Sequence, residues 1–98
     1  MNEKDIINHV MEFSNILELK ENTILRAINI ATKSIEAYLT SGKKSEGVAA
    51  ATIYIAGILE DDRRTQGEIA SIAGVPESTI RNQYLEIARG LEIKKERK

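Results

Sequence analysis

The segment from Glu46 to Leu59 constrains the fold most, because it has the composition of a helix without a polar face. Small residues are mixed with large apolar ones throughout EGVAAATIYIAGIL. A helix that is apolar nearly all round is usually buried, and its small residues let neighbouring helices approach closely. About 14 residues are too few for a membrane span, which needs roughly 20. We therefore expect this helix at the centre of the core.

Two amphipathic helices precede this central segment. The first is predicted from Glu3 to Ile16, and its apolar stripe is formed by Ile6, Val10, Phe13 and Leu17. The second is predicted to begin near Glu21, to bury Tyr38 and Leu39 on its stripe, and to stop at the Ser41-Gly42 break. Ser45 is expected to cap the central helix that follows.

The stretch from Thr65 to Ile87 has the spacing of a helix-turn-helix. Thr65 and Glu68 are spaced as a capping box that opens its first helix. Gly74 is suited to the tight turn because glycine adopts positive φ at little steric cost. Pro76 is expected in the first turn of the second helix, where its missing N–H costs nothing. The same spacing also suits an ordinary helical hairpin, since the pattern is degenerate.

The second helix of this pair divides into two faces. The inward stripe is formed by Ile80, Tyr84, Ile87 and Leu91. The opposite face carries Ser78, Arg81, Asn82, Leu85 and Arg89. Hydroxyl, guanidinium and carboxamide groups near a helix N-terminus can read base edges in a major groove. Ser78, Arg81 and Asn82 are therefore the candidate base-reading residues, although a solvated face would have the same composition.

Length and composition indicate one all-α domain of five helices. Ninety-eight residues allow a single core, and strand-forming patterns are nearly absent. We place the domain at residues 1–93, the helix-turn-helix at 65–89 and a charged tail at 94–98.

Net charge argues against tight, unaided DNA binding. The chain carries 14 basic and 15 acidic residues, for a net charge of −1, whereas DNA-binding domains usually have an excess of Lys and Arg. The positive end, with six basic and four acidic residues, is residues 76–98. Lys43, Lys44, Arg63 and Arg64 are candidate phosphate contacts, although the two lysines also suit a solvated turn. Glu60, Asp61 and Asp62 oppose the dipole of the central helix, so we expect an exposed acidic run beside the arginines.

Several functions are disfavoured by the residue inventory. Without cysteine, neither disulfides nor a thiolate zinc site can form. His9 is the only histidine, so we expect it at the solvated surface and predict no metal site or cofactor. No nucleophile with a base, phosphate loop or signal peptide is recognisable, so we expect a cytoplasmic protein, nuclear if eukaryotic, that is not an enzyme.

Two segments of the sequence resemble a known protein family. SGKKSEGVAAATIYIA and RRTQGEIASIAGVPESTIRNQYLEI resemble the second cyclin-like repeat of archaeal transcription factor B and eukaryotic transcription factor IIB. The likeness covers nearly the whole chain and is most specific from Gly42 to Ile87. It departs at Ser78, where some relatives have an apolar residue, and at Leu85, where a basic residue is common.

The resemblance implies a function in transcription initiation. The five-helix repeat is expected to bind promoter DNA with TATA-binding protein, its helix-turn-helix reading the major groove upstream of the TATA box. Contact with RNA polymerase belongs to a zinc ribbon that this sequence lacks. Ser78, Arg81 and Asn82 fall on the base-reading face. Phosphate contacts are expected from Lys43, Lys44, Arg63, Arg64, Thr65, Gln66 and Thr79.

Two other classes of protein remain open. A free-standing helix-turn-helix regulator would dimerise through an apolar patch, which Leu85 or the first helix could supply, whereas we expect a monomer. A cyclin-type module that binds only protein would agree with the near-neutral charge, and its partner binding would not depend on Arg81.

Overall fold

A computed structural model describes residues 3–93, which form five helices and no strand. The helices are α1 Glu3–Leu17, α2 Glu21–Glu36, α3 Ser45–Leu59, α4 Gln66–Ala73 and α5 Glu77–Gly90. The all-α, five-helix prediction is confirmed, with most predicted boundaries within one or two residues. The predicted tail at 94–98 lies outside the described residues.

Helix α3 is the centre of the fold, as its composition predicts. It packs against all four other helices, and every residue from 47 to 57 is buried. The lack of a side chain at Gly47 brings α5 close. A Cβ there would lie 3.0 Å from both Thr79 Cγ2 and Gln83 Nε2. The small residues of α3 thus set how closely α5 packs on the core.

The C-terminus of α2 differs from the prediction. The helix ends at Glu36 rather than near Ser41, and Tyr38 adopts a left-handed φ of 60°. Backbone bonds from Tyr38 N–H to Ile35 O and from Leu39 N–H to Ser34 O close this end. Tyr38 is therefore 83% exposed instead of buried on the stripe. Leu39 is turned towards Gly90 at the end of α5.

Two smaller predictions are also corrected. Ser45 is the first residue of α3 instead of its cap, because Lys44 occupies the N-cap position without a side-chain capping bond. His9 is half-buried rather than solvated, since its ring stacks on Phe13 with centroids 5.3 Å apart. Its Nδ1 lies 3.4 Å from Glu12 Oε1, so the ring packs along α1.

Candidate nucleic-acid interface

The predicted capping box fixes the start of α4. Glu68 N–H donates to Thr65 Oγ1 at 3.0 Å, and Thr65 N–H donates to Glu68 Oε1 at 2.9 Å. These reciprocal bonds satisfy two backbone donors that a helix start would otherwise leave unpaired. Thr65 is exposed but its hydroxyl is used in the cap, and Gln66, the first helical residue, is half-buried.

The turn between α4 and α5 has the backbone that its sequence predicts. Gly74 has φ 72° and ψ 32°, and its N–H donates to Ala70 O at 2.8 Å. A side chain would be strained in this left-handed conformation. Pro76 is the N-cap of α5, with extended ψ of 152°, one position earlier than the predicted first turn. Its fixed φ still directs the chain into the helix.

Helix α5 has the two faces that the sequence predicts. Ile80 and Ile87 are buried, and Tyr84 and Leu91 pack against the core. All five residues of the opposite face are exposed: Ser78, Arg81, Asn82, Leu85 and Arg89. Within residues 3–93, the side chains of Ser78, Arg81 and Asn82 have no hydrogen bond or ion pair. Their donors and acceptors are therefore available to an external ligand.

Three of the predicted phosphate-contacting residues lie in one cleft beside this face. Lys43, Lys44 and Thr79 line a cleft of about 470 Å³ between the α2–α3 loop and the turn before α5. Lys43 Nζ is 3.0 Å from Glu86 Oε1, so this lysine is already paired with a carboxylate of α5. Glu86 was missed by the sequence interpretation, because residues so distant in the chain give no local signal of pairing.

Arg63 rests on an aromatic pair of the core. Its Nη2 donates to Tyr54 Oη at 3.3 Å, and its Cζ lies 6.0 Å from the centre of the Tyr54 ring. The Tyr54 ring in turn meets the Tyr84 ring at 4.8 Å between centroids. Arg63 is nevertheless exposed, and its contact with Tyr54 places it between the end of α3 and α5.

Arg64 is directed into the protein. Its Nη1 donates to Asp62 Oδ1 at 2.8 Å, and its Nη2 donates to Leu17 O at 3.0 Å at the end of α1. The guanidinium thereby satisfies carbonyl and carboxylate groups of two segments. Its predicted role as a phosphate contact stays a prediction, but its donors are oriented inward in this structure.

The acidic run after α3 is structural, contrary to the expectation that it is merely exposed. Asp62 Oδ2 accepts bonds of 2.9 Å from both Lys20 N–H and Thr23 Oγ1. Burial acts to raise the pKa of Asp62, but these bonds and the Arg64 guanidinium outweigh it and lower the pKa from 3.8 to about 2. Glu60 also pairs with Arg26, with 2.6 Å between Oε2 and Nη2. Only Asp61 is exposed as expected.

Among residues 3–93, no group of three metal-binding side chains is assembled. None of the described helices is long and apolar enough to cross a membrane. What the structure does assemble is an exposed polar helix face with lysines beside it.

Comparison with known proteins gives a consistent match. Residues 2–90 match the family model described as the transcription factor TFIIB repeat. A transcription initiation factor IIB of Sulfurisphaera tokodaii is 49% identical over 86 residues, which are 88% of this chain and 28% of the relative. One of Methanothrix thermoacetophila is 49% identical over 87 residues, 89% of this chain and 26% of the relative. The chain thus spans about a quarter of the length of these curated relatives.

Proposed function

Because this chain belongs to the family of transcription factor TFIIB repeats, a cyclin-like fold, we propose that it binds promoter DNA as a domain of a transcription initiation factor. In this proposal α5 enters the major groove upstream of the TATA box, and TATA-binding protein occupies the adjacent DNA. The observation that supports it best is the outward face of α5, where Ser78, Arg81 and Asn82 are exposed and unpaired among the described residues.

Each of these three side chains has a distinct role in the proposal. Arg81 donates two hydrogen bonds to a guanine, which is worth about 1–3 kcal/mol of discrimination. Asn82 has the donor and acceptor that suit an adenine, and the Ser78 hydroxyl pairs with either kind of base edge. Together they lie in the first two turns of α5, where recognition helices make most base contacts.

The surrounding residues supply contacts to phosphate. Lys43, Lys44 and Thr79 would act from the cleft beside α5, and Thr65 and Gln66 from the start of α4. Arg63 is exposed at the approach loop. Since the donors of Arg64 are bound to Asp62 and Leu17, we assign Arg64 to positioning this loop instead.

The charge of the chain explains why a partner is part of the proposal. With a net charge of −1, few counterions are released from DNA, and affinity without help is expected to be weak. TATA-binding protein on the same duplex would raise the local concentration of the domain at its site. We propose that the domain joins this complex as a monomer, inside the cell compartment that holds the DNA.

The test is selection of promoter sequences followed by fluorescence anisotropy. Duplexes with a TATA box and a randomised upstream segment are selected with the chain and TATA-binding protein. The selected element is then compared with a scrambled one, with and without the partner. We expect tighter binding to the selected element, strengthened by the partner.

Substitution of two arginines in α5 tests which side chain determines the preference for particular DNA bases. Arg81→Ala is expected to lose preference at one guanine position by roughly 5- to 150-fold, the range of a good bidentate contact. Arg89→Ala removes the same charge from the last turn of α5 and should leave sequence preference unchanged. Full preference retained by Arg81→Ala would refute the base-reading role. No DNA binding under any condition would favour a module that binds only protein.

A further inference from the structure

Leu85 is an apolar side chain on a face that is otherwise polar. It is 43% exposed and is not part of the hydrophobic core or of the residues packed against it. With Ser78, Arg81 and Asn82 it completes the spacing i, i+3, i+4 and i+7 on one side of α5. These four residues span about 10.5 Å of the helix axis.

The neighbours of Leu85 argue against an apolar protein interface. Asn82 lies three residues before it and Arg89 four residues after it, and both are exposed. Glu86, the next residue, is also exposed and pairs with Lys43. A stable protein interface needs a contiguous apolar patch, whereas a single leucine among charged and amide groups offers only a small apolar spot. The ligand that fits it is therefore mostly polar, with a small apolar feature.

We infer that Leu85 is a fourth base-contacting residue and that it recognises the C5-methyl group of a thymine. This inference rests on the proposed function. The thymine methyl is the apolar group that base pairs present in the major groove, and aliphatic side chains contact it there. Homeodomain recognition helices read bases with the same spacing of i, i+3, i+4 and i+7. Leu85 thus extends the reading face by one turn beyond Arg81 and adds a preference that no hydrogen bond supplies.

The test removes the methyl group without changing any hydrogen bond of the DNA. In the selected element, each thymine of either strand is replaced singly by deoxyuridine, and affinity is measured by anisotropy. For the wild-type chain we expect one position at which the replacement weakens binding about fourfold, the factor given by burial of one methyl-sized group. Replacement of the other thymines should have little effect.

Leu85→Ala tests whether the Leu85 side chain contacts the thymine that is sensitive to deoxyuridine replacement. This variant should bind thymine and deoxyuridine equally at the sensitive position, while it keeps the guanine preference assigned to Arg81. The matched control is Leu25→Ala on α2, which removes a leucine that is 57% exposed on another helix. It should retain the full response to deoxyuridine. Both sites are exposed, so neither variant is expected to unfold the domain.

Each other outcome has a definite meaning. Binding that ignores the selected element overturns the proposed function and this inference with it. Binding that needs the element but responds to deoxyuridine at no position overturns only the role of Leu85. A methyl response that persists in Leu85→Ala also overturns it, because another side chain then makes the contact.

Discussion

Ser14 is a buried hydroxyl for which the described structure supplies no partner. It is fully buried in α1, and no hydrogen-bond partner lies near its Oγ among residues 3–93. A hydroxyl removed from water without a compensating bond costs free energy. Ser34 of α2 is equally buried, but its Oγ donates to Ile30 O at 2.8 Å. The two serines therefore differ in hydrogen bonding and not in burial.

Ser14→Ala is expected to stabilise the domain by about 1 kcal/mol. The substitution removes the unpaired hydroxyl and raises helix propensity. Ser34→Ala gains the same propensity but loses a bond, so its free energy of unfolding should change by much less. Urea denaturation followed by circular dichroism measures both. A clear loss of stability in Ser14→Ala would show that its hydroxyl has a partner in solution.

At the scale of elements, close approach between segments depends on particular glycines. The loop after α3 folds back onto the helix, and Asp62 N–H donates to Gly57 O at 2.8 Å. A Cβ on Gly57 would lie 2.9 Å from Asp62 O and 3.3 Å from Arg63 Cα. This contact is with backbone atoms. They cannot move aside without displacing the loop that carries Arg63 and Arg64.

Gly57→Ala is expected to destabilise the domain by up to about 2 kcal/mol. The overpacking cost exceeds the gain in helix propensity of about 1 kcal/mol. The matched control is Gly90→Ala in α5, where the three atoms nearest the added Cβ all belong to the flexible Leu39 side chain. That side chain can change rotamer, so the loss should be smaller. Thermal and urea unfolding rank the two variants, and the reverse order would contradict the structure.

The ion pair between Lys43 and Glu86 links the α2–α3 loop to α5 next to the proposed DNA surface. Its Nζ–Oε1 distance is 3.0 Å, and Glu86 is half-exposed. A carboxylate at this place repels an approaching phosphate and competes with it for Lys43. The pair is therefore expected to weaken binding to DNA.

Glu86→Gln is expected to bind promoter DNA roughly two- to fivefold more tightly at low salt. The gain should shrink as ionic strength rises, because screening weakens the removed repulsion. Glu36→Gln at the end of α2, where Glu36 lines a cleft with residues of α1, is the charge-matched control and should have little effect. Anisotropy titrations at several salt concentrations test this. Weaker binding by Glu86→Gln would instead mean that Glu86 holds Lys43 in its DNA-contacting position.

For the whole molecule, Asp62 joins segments that are distant in the chain. Its carboxylate is bound by Lys20 and Thr23 at the start of α2 and by Arg64, which also reaches the end of α1. Its side chain is only 10% exposed. This ionised group thus helps to hold the loop before α4 against the first two helices, beside the direct packing of α4 on α1.

Acid is expected to weaken the domain through Asp62. Its pKa is about 2 in the folded state and 3.8 ordinarily, so its contribution is complete above pH 4 and is lost as pH falls towards 2. This contribution amounts to roughly 1–2 kcal/mol after allowance for solvent screening. Urea unfolding of wild type and Asp62→Asn from pH 7 to pH 2 measures it. The difference between them should shrink only below pH 4, whereas Asp61→Asn should behave as wild type.

The sequence by itself determined the features that depend on neighbours within a few turns of helix. The all-round apolar composition of residues 46–59 placed α3 at the centre, and helical spacing separated the two faces of α5. The capping box at Thr65 and the left-handed turn at Gly74 were also predictable. In each case the physical cause, a local hydrogen bond, a φ preference or a 3.6-residue period, lies in adjacent residues.

Only the tertiary structure decided which charged groups face outward. Arg63 and Arg64 are adjacent and chemically alike, yet one rests exposed on Tyr54 and the other is bonded to Leu17 and Asp62. Lys20 and Thr23 lie about 40 residues from Asp62 in the chain, and Lys43 lies about as far from Glu86. Such pairs form because packing around α3 brings distant segments together, and no local pattern in the sequence encodes that proximity.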